Sequence, residues 1–170
     1  MISIDDVTFD LAGLVPLKHE ERVREWVDPL GAYLMARVVL GAPLLPPSVE
    51  ALRAKLATER ADGRLVFFET LRVGGVVGAL FVVELAFDPG ALEGVGQTPS
   101  YTATMTVPLM SCCVDINAAY NTRLAELAPS GGGAPLDDPP RHLTELLHGV
   151  ARTLELKGSL GVLPPLWADG

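Results

Sequence analysis

The chain has 170 residues, enough for one domain that buries a core without disulfides or metals. Its net charge is −8, which disfavours nucleic acid and anionic membrane surfaces as partners. No run approaches the roughly 18 uninterrupted apolar residues that a membrane-spanning helix needs. The acidic first ten residues differ from a signal peptide, and the two cysteines are neighbours, so we expect a cytoplasmic protein.

The N-terminal third is predicted to form one strand followed by helices. Residues 2–11 alternate apolar and polar side chains, as a strand does. Apolar residues then recur at helical spacing, at Val23, Trp26, Val27, Leu30, Leu34 and Val38. Asp28 and Pro29 interrupt this stripe, which predicts two short helices that meet at an N-cap and a first-turn proline. A third helix is predicted to begin at Ser48 and end at Gly63.

The middle of the chain is predicted to be an antiparallel run of strands. Residues 64–87 have the pattern of a hairpin with a two-glycine turn. Its second arm, 76–87, is apolar on both faces, which predicts that helices of the chain or another subunit cover both sides. Alternation continues through 101–107 and 110–116. For 117–127 the pattern leaves helix and strand open.

The C-terminal part is predicted to be a linker, a helix and a tail. The proposed division is a core at 1–128, a Gly/Pro linker at 129–140, an amphipathic helix at 141–158 and an apolar tail at 159–170. The element order predicts an α+β fold. In it, an antiparallel sheet packs against two or three N-terminal helices and one long C-terminal helix.

One cysteine and two glutamates are the candidate catalytic residues. Cys113 lies on the more polar face of its predicted strand, next to Asp115, which would raise the pKa of the thiol. Glu69 and Glu84 are the only acids in the predicted hairpin strands. If either points inward, it is a carboxylate in an apolar environment and a candidate site.

Metal and cofactor sites are not predicted. His142 and His148 are six residues apart, so they do not share a helix face as ligands four residues apart would. The glycine-rich segments match a hairpin turn and a linker, and neither stands between a strand and a helix as a phosphate-binding loop must.

Two segments are similar to parts of the helix-grip superfamily of lipid-transfer and polyketide-cyclase-like proteins. "EERVREWVDPLGAYL" resembles the opening helices and "RHLTELLHGVARTLELKG" resembles the closing helix. The resemblance implies a curved sheet around a hydrophobic cavity, and a non-catalytic protein that binds a small apolar or aromatic molecule there. The residues expected to line that cavity are Phe67, Phe81, Met105, Met110 and Leu147.

Two other functions stay open. The first is a structural or interaction subunit that self-associates or binds a partner protein through its two-faced apolar strand and its Trp167 tail. The second is an enzyme that uses Cys113 or a buried Glu84.

Overall fold

The computed structural model describes residues 3–40, 50, 54, 63–73, 76–85, 100–109, 112–120 and 136–157. A 3₁₀ turn at Ile4–Asp6 leads into β1, and the further elements are listed here in chain order. They are β1 (Val7–Thr8), β2 (Val15–Glu20), β3 (Val23–Val27), β4 (Tyr33–Leu40), β5 (Gly63–Val73), β6 (Val76–Leu85), β7 (Ser100–Pro108), β8 (Cys112–Tyr120), α1 (Pro139–Thr153) and β9 (Glu155–Leu156). No helix in these ranges is long and apolar enough to cross a membrane.

Seven of the strands form one antiparallel sheet in the order β2-β3-β4-β8-β7-β6-β5. The chain therefore builds a meander from β2 to β4, and β8 later pairs with β4. The strands β1 and β9 form a separate two-stranded sheet, in which Val7 lies opposite Leu156. The N–H of Lys157 donates to the carbonyl of Asp6 at 2.7 Å and extends this pairing.

One face of the large sheet carries the main core. Helix α1 packs across β5 to β8 and buries Leu143, Leu147 and Val150. The turn that contains Ile4 contacts β4 on the same side. Helix α1 and the N-terminal segment together cover the face that bears Leu34 and Met105. The removal of these apolar side chains from water is the main force that stabilises the fold.

Strand β6 is buried on both of its faces. Leu80 and Val82 have no exposed surface on the helix side, and Phe81 and Ala79 on the other side are at most 5% exposed. These values refer to the single chain, so the prediction that this strand is covered on both sides is confirmed without a second subunit.

The predicted N-terminal helices are wrong, because β2, β3 and β4 occupy that segment. Side chains in β4 alternate between buried and exposed, with Leu34 and Val38 buried and Arg37 exposed. A spacing of four fits one face of a strand as well as one face of a helix, so the apolar stripe was ambiguous. Asp28 to Gly31 form a turn between strands, and Gly31 has φ of +89°. The α+β class with several N-terminal helices is therefore replaced by a mostly antiparallel sheet.

Several other predictions fall partly or wholly outside the described residues. In the third predicted helix only Glu50 and Ala54 are described, and both are helical. Of the first predicted strand, Ile4–Asp6 form a 3₁₀ turn with Ser3 as its N-cap, and only Val7–Thr8 form a strand. Residues 117–120 belong to β8, whereas 121–127, most of the linker and the Trp167 tail lie outside the described ranges.

A buried carboxylate connects the β3–β4 turn to the helix. Asp28 is 3% exposed, and its Oδ1 accepts hydrogen bonds from the N–H groups of Leu30 at 3.0 Å and Ala32 at 2.8 Å. Its Oδ2 lies 2.6 Å from the Nε2 of His142 in the first turn of α1. Hydrogen bonds to a charged acceptor are among the stronger ones in proteins.

We expect Asp28→Ala to lower the free energy of unfolding by about 2 to 4 kcal/mol, because it leaves two backbone donors and an imidazole without their acceptor. Asp28→Asn keeps one acceptor oxygen and should lose less. Urea denaturation of both variants, with exposed Asp137→Ala as the control, measures this. Equal stability of Asp28→Ala and the control would show that the turn and helix are not connected energetically.

Candidate functional site

The adjacent cysteines lie in β8 and point to opposite faces. Cys112 is fully buried in the helix-side core, and Cys113 is half-buried on the other face. Burial first, and then the charge and hydrogen bond of Asp115, raise the pKa of the Cys113 thiol to about 12. The thiol is therefore protonated at neutral pH, which is unfavourable for a nucleophile.

A row of polar side chains crosses the sheet beside Cys113. The Oγ1 of Thr106 donates to Oδ1 of Asp115 at 2.8 Å, and the guanidinium of Arg37 donates to Oδ2 at 3.2 Å. Two residue pairs further along, on the same face, the Oγ1 of Thr104 donates to the Oδ1 of Asn117 at 2.8 Å. Because cross-strand partners bind both Asp115 oxygens, this carboxylate acts as a link between β4, β7 and β8.

Each of the chain's three histidines lies against a carboxylate. His19 contacts Asp5 at 2.8 Å, His142 contacts Asp28, and His148 contacts Glu69. The last two lie on α1, across the sheet from the half-buried thiol, and the first contacts the N-terminal turn. The geometry thus provides no imidazole to activate Cys113. Within the described ranges, no three His, Cys, Asp or Glu side chains are placed to hold a metal ion.

The two candidate glutamates lie at the rim of the helix-side face and have charged neighbours. Glu69 points toward α1 and meets His148, and both side chains are about one-third exposed, at 33% and 36%. Glu84 lies 3.2 Å from the guanidinium of Arg64. Burial and a hydrogen bond to Glu84 raise the pKa of Tyr101. Both carboxylates therefore have polar neighbours, and neither lies in the apolar environment that was expected of a candidate site.

The residues expected to line a ligand cavity do not surround a common space. Met105 and Leu147 are fully buried in the helix-side core, and Phe67 packs against that core from β5. Phe81 lies on the opposite face of the sheet, since its neighbours Leu80 and Val82 point to the helix side. Met110 is outside the described residues.

An open groove lies where the N-terminal segment crosses β3, and we call it the Trp26 groove. It has a volume of about 230 Å³ and is lined by Val7, Thr8, Phe9, Asp10, Leu11, Leu14, Arg24 and Trp26. The Phe9 and Trp26 rings meet edge to face at 5.1 Å. The guanidinium of Arg24 stacks over the Trp26 ring at 5.0 Å, within the range of a cation–π interaction.

Three apolar side chains of β2 and of the β3–β4 turn are exposed to solvent. Val15 is 40% exposed, Leu17 is 56% exposed and Leu30 is 51% exposed, and we call these three residues the apolar corner. Val15 follows the groove residue Leu14 directly and pairs with Val27, just before the turn that carries Leu30. A Cβ at Gly13 would lie 2.8 Å from Pro29, so the two loops pack together.

Sequence reasoning missed this surface because it assigned Leu30 to the buried stripe of a helix, whereas Leu30 is exposed in a turn. The signal that could have found it is the segment "VPLKHE". In it, apolar Val15 and Leu17 alternate with Pro16 and Lys18, as in an exposed edge strand.

No protein-family model matches the chain, and no curated protein matches it in sequence. Among solved structures, the Saccharomyces cerevisiae Ran-binding protein Mog1p is similar in fold, with a TM-score of 0.52 and 10% sequence identity. The match covers 89% of this chain and 90% of Mog1p. At this identity the likeness shows the fold alone. It also shows that the predicted helix-grip relationship is wrong, because the matched fold is mostly sheet with one helix.

We expect iodoacetamide to modify Cys113 roughly 1000-fold more slowly at pH 8 than it modifies a free cysteine. A pKa of about 12 leaves only a trace of thiolate at that pH. The rate should still rise with pH above 10, where an ordinary thiol has levelled off. Mass spectrometry in a Cys112→Ala background isolates this single thiol.

The control for this experiment is Asp115→Asn, which removes the neighbouring negative charge and should speed the reaction by lowering the pKa. If the Cys113 thiol of the protein without the Asp115 substitution reacts at the rate of free cysteine at pH 8, the raised pKa is contradicted. Cys113 would then again be a candidate nucleophile.

Proposed function

We propose that the chain is a non-catalytic protein-interaction domain, and that it binds its partner through the Trp26 groove and the apolar corner. The observation that carries this proposal is the exposure of Val15, Leu17 and Leu30 in β2 and the β3–β4 turn, next to the strand that bears the stacked Arg24 and Trp26. Contiguous exposed apolar side chains with a polar rim are typical of protein-binding surfaces. Arginine is among the residues enriched at interface hot spots, and Arg24 is partly exposed above the buried Trp26 ring.

Side-chain docking, rather than addition of a strand, is the binding mode that this surface favours. Strand β2 is at one end of the sheet order and all six of its residues are exposed. However, Pro16 lacks an N–H, the pairing with β3 shifts register between Pro16 and Lys18, and Lys18 adds a charge. These are the features by which edge strands resist pairing with another chain. A partner would therefore bury the apolar corner and place a side chain in the groove.

The comparison with Mog1p supports an interaction role, because that protein of the same fold is described as Ran-binding. The alternative of a small apolar ligand lacks such support, since nothing in the described ranges indicates a cavity for one. Burying the largely exposed side chains of the apolar corner would contribute on the order of 1 to 2 kcal/mol each. Burial of these side chains would therefore stabilise a complex.

We expect Leu17→Asp and Leu30→Asp each to weaken binding of the partner by about 30-fold or more, because each places a charge in an apolar contact. The matched control is Leu40→Asp, since Leu40 is 42% exposed but lies at the far end of β4. That variant should bind within 3-fold of wild type.

The partner is first identified with a photo-crosslinking amino acid at position 17 in cells of the source organism. Its affinity is then measured with purified proteins by calorimetry, and sedimentation velocity tests whether the partner is a second copy of this chain. Equal affinities of all three variants, or a loss confined to Leu40→Asp, would rule out the apolar corner as the interface.

A further inference from the structure

We infer that the Trp26 groove binds the carboxylate of an aspartate or glutamate side chain of the partner, and that Arg24 is the residue that selects it. The inference rests on the proposed function and adds the chemistry of the partner residue that enters the groove. It concerns the groove alone, since no residue of the apolar corner lines it.

Strand β3 and the buried ring of Trp26 hold Arg24 in place. Arg24 and Trp26 are two residues apart in β3, so their side chains lie on the same face of the sheet. Trp26 is 8% exposed, and its ring packs against the ring of Phe9. The guanidinium carbon of Arg24 lies 5.0 Å from the centre of the Trp26 ring. An arginine that already packs on a buried ring loses less conformational entropy on binding than one that extends into water.

Arg24 has no ionic partner in the part of the chain that the structure describes. There, Arg37, Arg64 and Arg141 each lie 3.0 to 3.2 Å from a carboxylate oxygen, whereas none of the described carboxylates forms a salt bridge with Arg24. The Arg24 side chain is nevertheless partly buried. A cation–π contact leaves N–H donors of the guanidinium available for an acceptor. Because a partly buried charge is less screened than an exposed one, it gains more from an ionic partner.

A carboxylate side chain fits the groove better than a phosphate or a small free anion. An arginine can bind a carboxylate through two parallel hydrogen bonds. Asp10 also lines the groove, and its negative charge disfavours a dianion more than a monoanion. Leu11 and Leu14 supply apolar surface for the methylene groups that carry a side-chain carboxylate. The occupant is thus an acidic side chain of a protein that has an apolar residue beside it.

The test titrates the full chain with the peptide acetyl-Leu-Glu-Leu-amide at low salt and follows the indole N–H of Trp26 by NMR. The chain has two tryptophans, so a Trp167→Phe background leaves a single indole signal. We expect a saturable shift with a Kd on the order of 1 mM, as for one ion pair with little apolar contact. Acetyl-Leu-Gln-Leu-amide should bind at least about 5-fold more weakly, because its amide carries no charge.

Substitutions in the groove separate the role of Arg24 from general electrostatics. Arg24→Gln should weaken binding of the Glu peptide by at least about 5-fold. Arg24→Lys should weaken it by about 3-fold, because lysine keeps the charge but not the paired donors. Asp10→Asn should strengthen it by about 2-fold, since a repelling charge is removed.

The matched control is Arg22→Gln, which also removes one arginine. Arg22 directly precedes β3, is exposed and is not among the residues that line the groove, so binding should stay within about 2-fold of wild type. Circular dichroism verifies that each variant folds, and Arg24→Lys carries the test if Arg24→Gln does not fold.

Four results would overturn the inference. They are the absence of a saturable shift with the Glu peptide, equal affinities for the Glu and Gln peptides, an equal loss in Arg24→Gln and Arg22→Gln, and displacement of most of the bound peptide by phosphate or acetate at equal concentration. The last result would assign the groove to a free anion. Failure here is distinguishable from failure of the proposed function, because this titration contains no partner and the partner assay changes only Leu17, Leu30 and Leu40.

Discussion

The pairing of β4 with β8 is the constraint on which the rest of the fold depends. It aligns eight residue pairs, from Tyr33 opposite Ala119 to Leu40 opposite Cys112, and joins the N-terminal meander to the rest of the sheet. Without it, β2 to β4 would be an isolated three-stranded ribbon with one apolar face in water, and the Asp28 turn would not reach His142 on the helix. The polar row at Asp115 lies across this same seam, so it adds side-chain hydrogen bonds where the two halves meet.

About half of the described fold could be predicted from the sequence. The hairpin of β5 and β6 was predictable because its long β-branched and aromatic runs flank two glycines. Residues 139–153 have a helical pattern that no other period explains, and Asp138 caps the helix there. Strands β2 to β4 were not predictable, because the spacing of Leu34 and Val38 fits a helix as well as a strand. Only the pairing of β4 with β8 shows that the segment is a strand.

The candidate site was less predictable than the fold. The sequence could indicate that Asp115 would disfavour a thiolate at Cys113, but not that burial would be the larger cause. It could indicate that Glu69 was unusual, but not that His148, 79 residues away, would meet it. The Trp26 groove depends on the N-terminal segment crossing β3, a contact that no local pattern encodes. Surfaces made by distant segments are known only when the topology is known.

The pairing of β1 with β9 has a consequence for how the chain folds during its synthesis. Val7 leaves the ribosome early, but its partner Leu156 follows only after nearly the whole described chain has been made, roughly 10 to 30 s later at ordinary translation rates. During that interval the N-terminal segment, and with it the Trp26 side of β3, has neither its strand partner nor the helix beside it. The apolar side chains of the N-terminal segment therefore wait for β9 before the small two-stranded sheet can form.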